Sequence, residues 1–183
     1  MKKLFTQSKP EFLLAMALVV IGAGSRLLFN QLGIYNFNAM AATMLFAGAF
    51  LQRSKWGLLV PAIMMLVTDA VIGFYDIRQM GVVYLSYAAI IAIGALYAKK
   101  PSLLGFVGVT LGGSLAYFLV TNFALWPFYD QYPHTWSGIV ESYTLALPFY
   151  KNSFVSDMLF STVLFAGFET SKVLITKKLA LAN

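Results

Sequence analysis

The sequence predicts an all-α integral membrane protein of six transmembrane helices. Three observations carry that prediction. The 183 residues are 60% hydrophobic and only 11% charged, with a mean hydropathy of +0.75, whereas soluble domains are nearer half apolar and a quarter charged. Six apolar runs are separated by short polar links, and lysine and arginine recur at every second link. At about 20 residues per span, six spans use almost the whole chain, so residues 1–183 read as a single membrane domain.

The first span covers about residues 12–29, after Lys2, Lys3, Lys9 and Pro10. Its start resembles a secretory leader, with Gly22-Ala23-Gly24 in place of a cleavage site. The apolar run continues through Leu27-Leu28-Phe29, so the span is expected to be kept. The second span, about 38–51, is short for a crossing at 1.5 Å per residue, and is expected to begin nearer Ile34. The third runs about 56–74, the fourth 82–98, the fifth 103–126 and the sixth 153–175. Between the last two lies a long connection, 127–152, rich in aromatics and carrying Pro127, Pro133 and Pro148. It is expected to be a long outer loop whose middle forms a short helix at the interface.

Charge fixes the expected orientation. Lys2, Lys3, Lys9, Arg53, Lys55, Lys99, Lys100, Lys172, Lys177 and Lys178 fall on one side; Arg26, Arg78 and Lys151 fall on the other. The positive-inside rule puts the richer side, and both termini, in the cytoplasm. Trp126, Tyr129, Tyr132 and Trp136 then form an outer aromatic belt, and Trp56 and Tyr97 an inner one. A net charge of +6 placed this way belongs to span ends in a cell (inner) membrane of bacterial type, and not to a nucleic-acid surface. The lipid bilayer is the first partner it implies. Small residues align on three spans: Gly105, Gly108, Gly112 and Ala116; Ala39, Thr43 and Ala47; Ala88, Ala92 and Ala95. Such stripes let helix backbones approach closely, and are expected to pack within the monomer.

Several chemistries are excluded. With no cysteine and one histidine, thiolate and multi-histidine metal sites are ruled out. No HExxH, no phosphate-cradling loop and no Ser-His-Asp set at one depth is present, so neither an enzyme nor a cofactor is expected. The residues that need explanation are charges inside apolar runs, each costing about 2.5–3.5 kcal/mol at the bilayer centre. Arg26, Asp69 and Asp157 share the outer half; Glu169 lies toward the inner end, where it can snorkel. Asn30, Asn36, Asn38, Thr68, Tyr84, Tyr87, Thr121, Asn122, Asn152 and Ser153 lie at a similar outer depth. This polar set suggests an outward cavity, and equally a structural ion pair from Arg26 to Asp69 or Asp157. His134, in the aromatic connection, is a solvated loop residue or a lid residue, and Phe128, Tyr129, Tyr132, Trp136 and Tyr150 are interface anchors or rings that close over a planar ligand.

The segments LFAGAF (45–50), LLVPAIMMLVTDAVIGFYD (58–76), YFLVTNFALW (117–126) and YPHTWSGIVESYTLALPFYKNSFVSD (132–157) resemble an uncharacterised family of small bacterial membrane proteins. That family is similar to the substrate-binding S-components of energy-coupling-factor (ECF) vitamin transporters. The resemblance implies six helices with both termini inside. It also implies a vitamin or metal ion bound near the outer face, under the 1–2, 3–4 and 5–6 loops. Asp69, Asn122 and Asp157 fall in its most characteristic segments, which makes them the leading ligand-binding candidates. Arg26, Tyr84, Trp126, His134, Trp136 and Asn152 support them. An ECF energising module is the implied partner, but span 1 (FLLAMALVVIGAGSRLL) lacks the AxxxA docking stripe, which leaves docking and solitary action both open.

The leading expectation is therefore capture of a small, vitamin-like solute from the outer face for uptake. Asp69, Asn122 and Asp157 would converge on one cavity under the 127–152 lid. The alternative is a non-transporting membrane scaffold of similar fold. Separate helix contacts for those three side chains would favour it.

Overall fold

The computed structural model describes residues 8–181, with side chains over 11–174. Lys2 and Lys3 lie outside the described residues, as do the side chains of Lys9, Lys177 and Lys178. The chain is all-helical, in the order α1 (Ser8–Gln31), α2 (Met40–Leu51), α3 (Trp56–Ile72), α4 (Ile77–Tyr97), α5 (Leu103–Phe128) and α6 (Trp136–Leu181). Among the described residues, three helices are long and apolar enough to cross a membrane: Glu11–Gln31 of α1, α4 and α5. α2 and α3 are apolar but shorter. The exterior is as apolar as a lipid-facing surface requires, with Leu58, Leu85, Leu103 and Leu104 all exposed.

α2 is the centre of the bundle and packs against every other helix. It starts at Met40 rather than near Ile34; Gly33 and Asn36 hold the preceding link in the left-handed region, at φ 71° and 61°. Twelve residues make only about 18 Å. The shortness follows from position: ten of the twelve are buried, and a helix apolar all round is a core helix. α1, α3, α4, α5 and α6 surround it, with α1 packed on α3, and α4 on α5, which packs in turn on α6.

The small-residue stripes pack differently from expectation. Ala39, Thr43 and Ala47 are buried along the α2 face. Gly108, Gly112 and Ala116 of α5 are exposed instead, as are Ala88 and Ala92 of α4, and a Cβ at Gly108 or Gly112 would meet nothing. The close helix contact lies elsewhere, between α2 and α4. A Cβ at Gly48 would strike the carbonyl oxygen of Ile91, and one at Gly94 that of Leu45. The two glycines are reciprocal, and they set the distance between these helices.

The expected long outer loop is replaced by helix. Only residues 129–135 connect α5 to α6, and α6 then runs 46 residues through Pro148. A proline inside a helix removes one backbone donor and crowds the carbonyl four residues back, which bends the helix rather than ending it. The contacts require such a departure. Tyr143 Oη donates to Leu119 O at 2.6 Å, while Asp157 faces Ser114 across one small cavity. Between these contacts α6 advances about 21 Å and α5 only about 7.5 Å, at 1.5 Å per residue. α6 must therefore bow away from α5 around Pro148.

Candidate functional site

The first link, 32–39, meets Leu125 of α5 and Ile72 of α3, and Arg78 Nη2, just past link 73–76, donates to Phe128 O just before link 129–135 at 3.1 Å, so these three links share one end of the bundle, here the odd-link end. Links 52–55 and 98–102 lie at the other, the even-link end. At the odd-link end the bow of α6 leaves a cavity of about 310 Å³. Tyr117, Phe118, Thr121, Asn122 and Leu125 of α5 form one wall. Ala146, Phe149, Tyr150 and Ser153 of α6 form the other, and Tyr35 and Asn36 of the first link close it. Tyr150 stacks on Phe118 with ring centroids 4.4 Å apart. Asn122 Nδ2 donates to Phe118 O at 2.8 Å, which leaves the amide oxygen to offer a ligand. Asn152 Nδ2 donates to Tyr35 O at 2.9 Å and Ser153 Oγ to Asn36 O at 3.3 Å. These two bonds hold the first link over the cavity.

Tyr35 and Asn36 also wall a second, polar cavity of about 120 Å³, lined by Arg26, Asn30 and Asn38. Arg26 does not reach toward Asp157. Its Nη2 pairs with Asp69 Oδ1 at 2.7 Å, with side chains 20% and 0% exposed, and its Nη1 makes a short hydrogen bond to Thr68 Oγ1. Tyr84 Oη donates to Asp69 Oδ2 at 2.8 Å. Arg26, Asp69, Thr68 and Tyr84 thus form one network joining α1, α3 and α4.

Asp69, Asn122 and Asp157 do not share a cavity. Asp69 is in the ion-pair network and Asn122 in the 310 Å³ cavity. Asp157 lies deeper, in a separate small cavity between α2, α4, α5 and α6. The similar depth expected of the three does not hold for Asp157, and each helix turns its polar residue toward a different neighbour. The remaining candidates also divide, and Tyr150 of the expected lid lines the 310 Å³ cavity. Trp126 Nε1 donates to Pro133 O at 2.9 Å, and His134 meets the Trp126 ring edge-on at 5.7 Å, so these two brace the turn into α6. Trp136, 82% exposed, covers nothing.

Two features were absent from the sequence reading. Gln79, buried on α4, donates from Nε2 to Thr121 O at 3.0 Å; it fell in the link before the fourth span expected at 82–98. At the even-link end a cavity of about 620 Å³ opens among α2, α6 and the α4–α5 link. Phe50, Tyr97, Phe106 and Phe165 line it, and Glu169 and Lys172, themselves an ion pair, stand at its edge. Its aromatics are scattered over more than a hundred residues of sequence, with no local pattern to join them. No group of three or more His, Cys, Asp or Glu side chains among the described residues is placed to hold a metal ion.

Comparison with known proteins gives one assignment. The chain belongs to a family of unknown function, DUF6580, whose family model matches residues 6–179. No curated protein matches the chain. No solved structure matches it either.

Proposed function

We propose that this chain is an S-component-like membrane protein that captures a small, vitamin-like solute at the odd-link end for uptake. The observation that carries the reading is the cavity beneath the bow of α6. Its volume, about 310 Å³, sits at the lower end of the range for small-molecule sites, about 300–1,000 Å³. Its walls combine stacked aromatics, Phe118 and Tyr150, with hydrogen-bonding groups from Asn122, Thr121 and Ser153. That combination suits a small planar solute with polar edges: rings cover its faces and amides and hydroxyls read its rim. The site is neutral. The carboxylates of Asp69 and Asp157 lie outside it, so the charge-centred version of capture is set aside.

In this reading all six helices lie in the membrane and both termini are cytoplasmic, as the lysine and arginine distribution favours. The odd-link end then faces outward. The first link, tied down by Asn152 and Ser153, is the piece that opens to admit solute. No phosphate-cradling sequence is present, so energy for release inward comes from a partner. An ECF-type module is one, although span 1 offers no AxxxA stripe.

The second reading, a non-transporting scaffold, has its own support. The Gly108, Gly112 and Ala116 face of α5 is left uncovered by the described residues, and Asp69 serves an internal pair. Native mass spectrometry of gently purified protein separates the two. Capture expects a co-purified small molecule in a one-to-one complex, whereas a scaffold co-purifies with protein and holds none.

A further inference from the structure

The geometry points to a binding site for one small monovalent cation of sodium size, built around Asp157 near the middle of the bundle. Asp157 is 7% exposed and makes no ion pair among the described residues. Arg26, the arginine inside the bundle, is committed to Asp69. A lone buried carboxylate is costly and is matched by a bound cation or a proton. Three hydroxyl side chains line the same cavity: Thr110 and Ser114 of α5, and Ser161, one turn beyond Asp157 on α6.

The hydroxyls decide between cation and proton. Buried Ser and Thr in helices ordinarily donate to the carbonyl three or four residues back, as the buried Thr43, Thr68, Thr121, Ser142 and Ser156 do here. Thr110 and Ser114, each 4% exposed, do not. Thr110 Oγ1 has no hydrogen-bond partner, and Ser114 Oγ faces the Asp157 carboxylate without a well-formed bond. A protonated Asp157 needs only one acceptor and would leave hydroxyl oxygens idle. A cation uses all of them. The cavity holds about 10 Å³, room for about one water-sized sphere. One carboxylate balances one positive charge, and a divalent ion of the calcium class takes about six to eight oxygens, more than these four side chains supply. Leu45 and Ile90 add apolar wall to the site.

This inference does not depend on the solute reading. It is tested on the full chain purified in detergent, by scintillation proximity with radioactive sodium. Saturable binding is expected, displaced by unlabelled sodium and not by choline. Asp157→Asn should abolish it. Ser114→Ala and Thr110→Val, which leave the carboxylate and the fold in place, should each raise the half-saturating sodium concentration. Size-exclusion profiles report whether each variant is folded. Absence of saturable binding by the wild-type protein would overturn the site, as would unchanged affinity in both hydroxyl variants.

Discussion

Replacing Arg26 with Met tests the strongest electrostatic feature of the bundle. The substitution keeps length and apolar bulk while removing the charge that faces Asp69 at 2.7 Å. Asp69 is fully buried, and Tyr84 would be its remaining donor. Breaking a buried pair from one side costs about 3–5 kcal/mol, which is about a 150- to 4,000-fold fall in the folded-to-unfolded ratio. The reverse change, Asp69→Asn, should cost less. Arg26 is 20% exposed and borders the polar 120 Å³ cavity, so its charge can turn toward water, and the substituted amide can still accept from Tyr84. The order of effects is therefore Arg26→Met worse than Asp69→Asn. The double variant should be more stable than the sum of the two losses allows, with a coupling of about 1–3 kcal/mol. Equilibrium unfolding in mixed micelles measures all three. Strictly additive losses, or an Arg26→Met protein as stable as the parent, would refute the idea that these charges hold α1 to α3.

Three further outcomes are expected. Gly48→Ala or Gly94→Ala should destabilise by about 1–3 kcal/mol or more through overpacking at the α2–α4 contact, whereas Gly108→Ala and Gly112→Ala should be neutral or slightly stabilising in thermal melts; the reverse order would contradict the packing. Single cysteines at Ser54 and Ser137, labelled on intact cells with an impermeant thiol reagent, should react at 137 and not at 54, and the opposite pattern would invert the orientation. Asp76 caps α4 and is held to about 2 by hydrogen bonds from Arg78. Its lowered value means that its contribution is complete above the ordinary carboxylate range and lost only as pH falls through about 2. An NMR titration of its carboxyl with a midpoint near the ordinary value of about 3.9 would show that the Arg78 contact does not persist in solution.

How much of this was legible in the sequence depends on whether the signal is local. The helices were, because long apolar runs bounded by charged links are local patterns. The Arg26–Asp69 pair was legible as one of two options, since a charge in an apolar run must find a partner and few were available. Which partner it took depends on helix rotation, which no periodicity in these uniformly apolar helices reveals. The bow of α6 was hidden because three prolines and many aromatics look like a loop. The helix continues through Pro148 all the same, and the contacts of Tyr143 and Asp157 with α5, distant in sequence, give it its bow. Glycine spacing misled for a related reason. The Gly108 and Gly112 part of the regular stripe faces outward, while the contact that needs glycine uses single residues on two helices, Gly48 and Gly94.

The central proposal is that a neutral aromatic and amide cavity, rather than the buried carboxylates, holds the solute. Native mass spectrometry of three proteins side by side tests it: the parent, Asn122→Leu and Asp69→Asn. The parent and Asp69→Asn should retain the same co-purified small molecule, and Asn122→Leu, folded by size exclusion, should lose it. Retention by Asn122→Leu with loss in Asp69→Asn would contradict the proposal and return the site to the carboxylates.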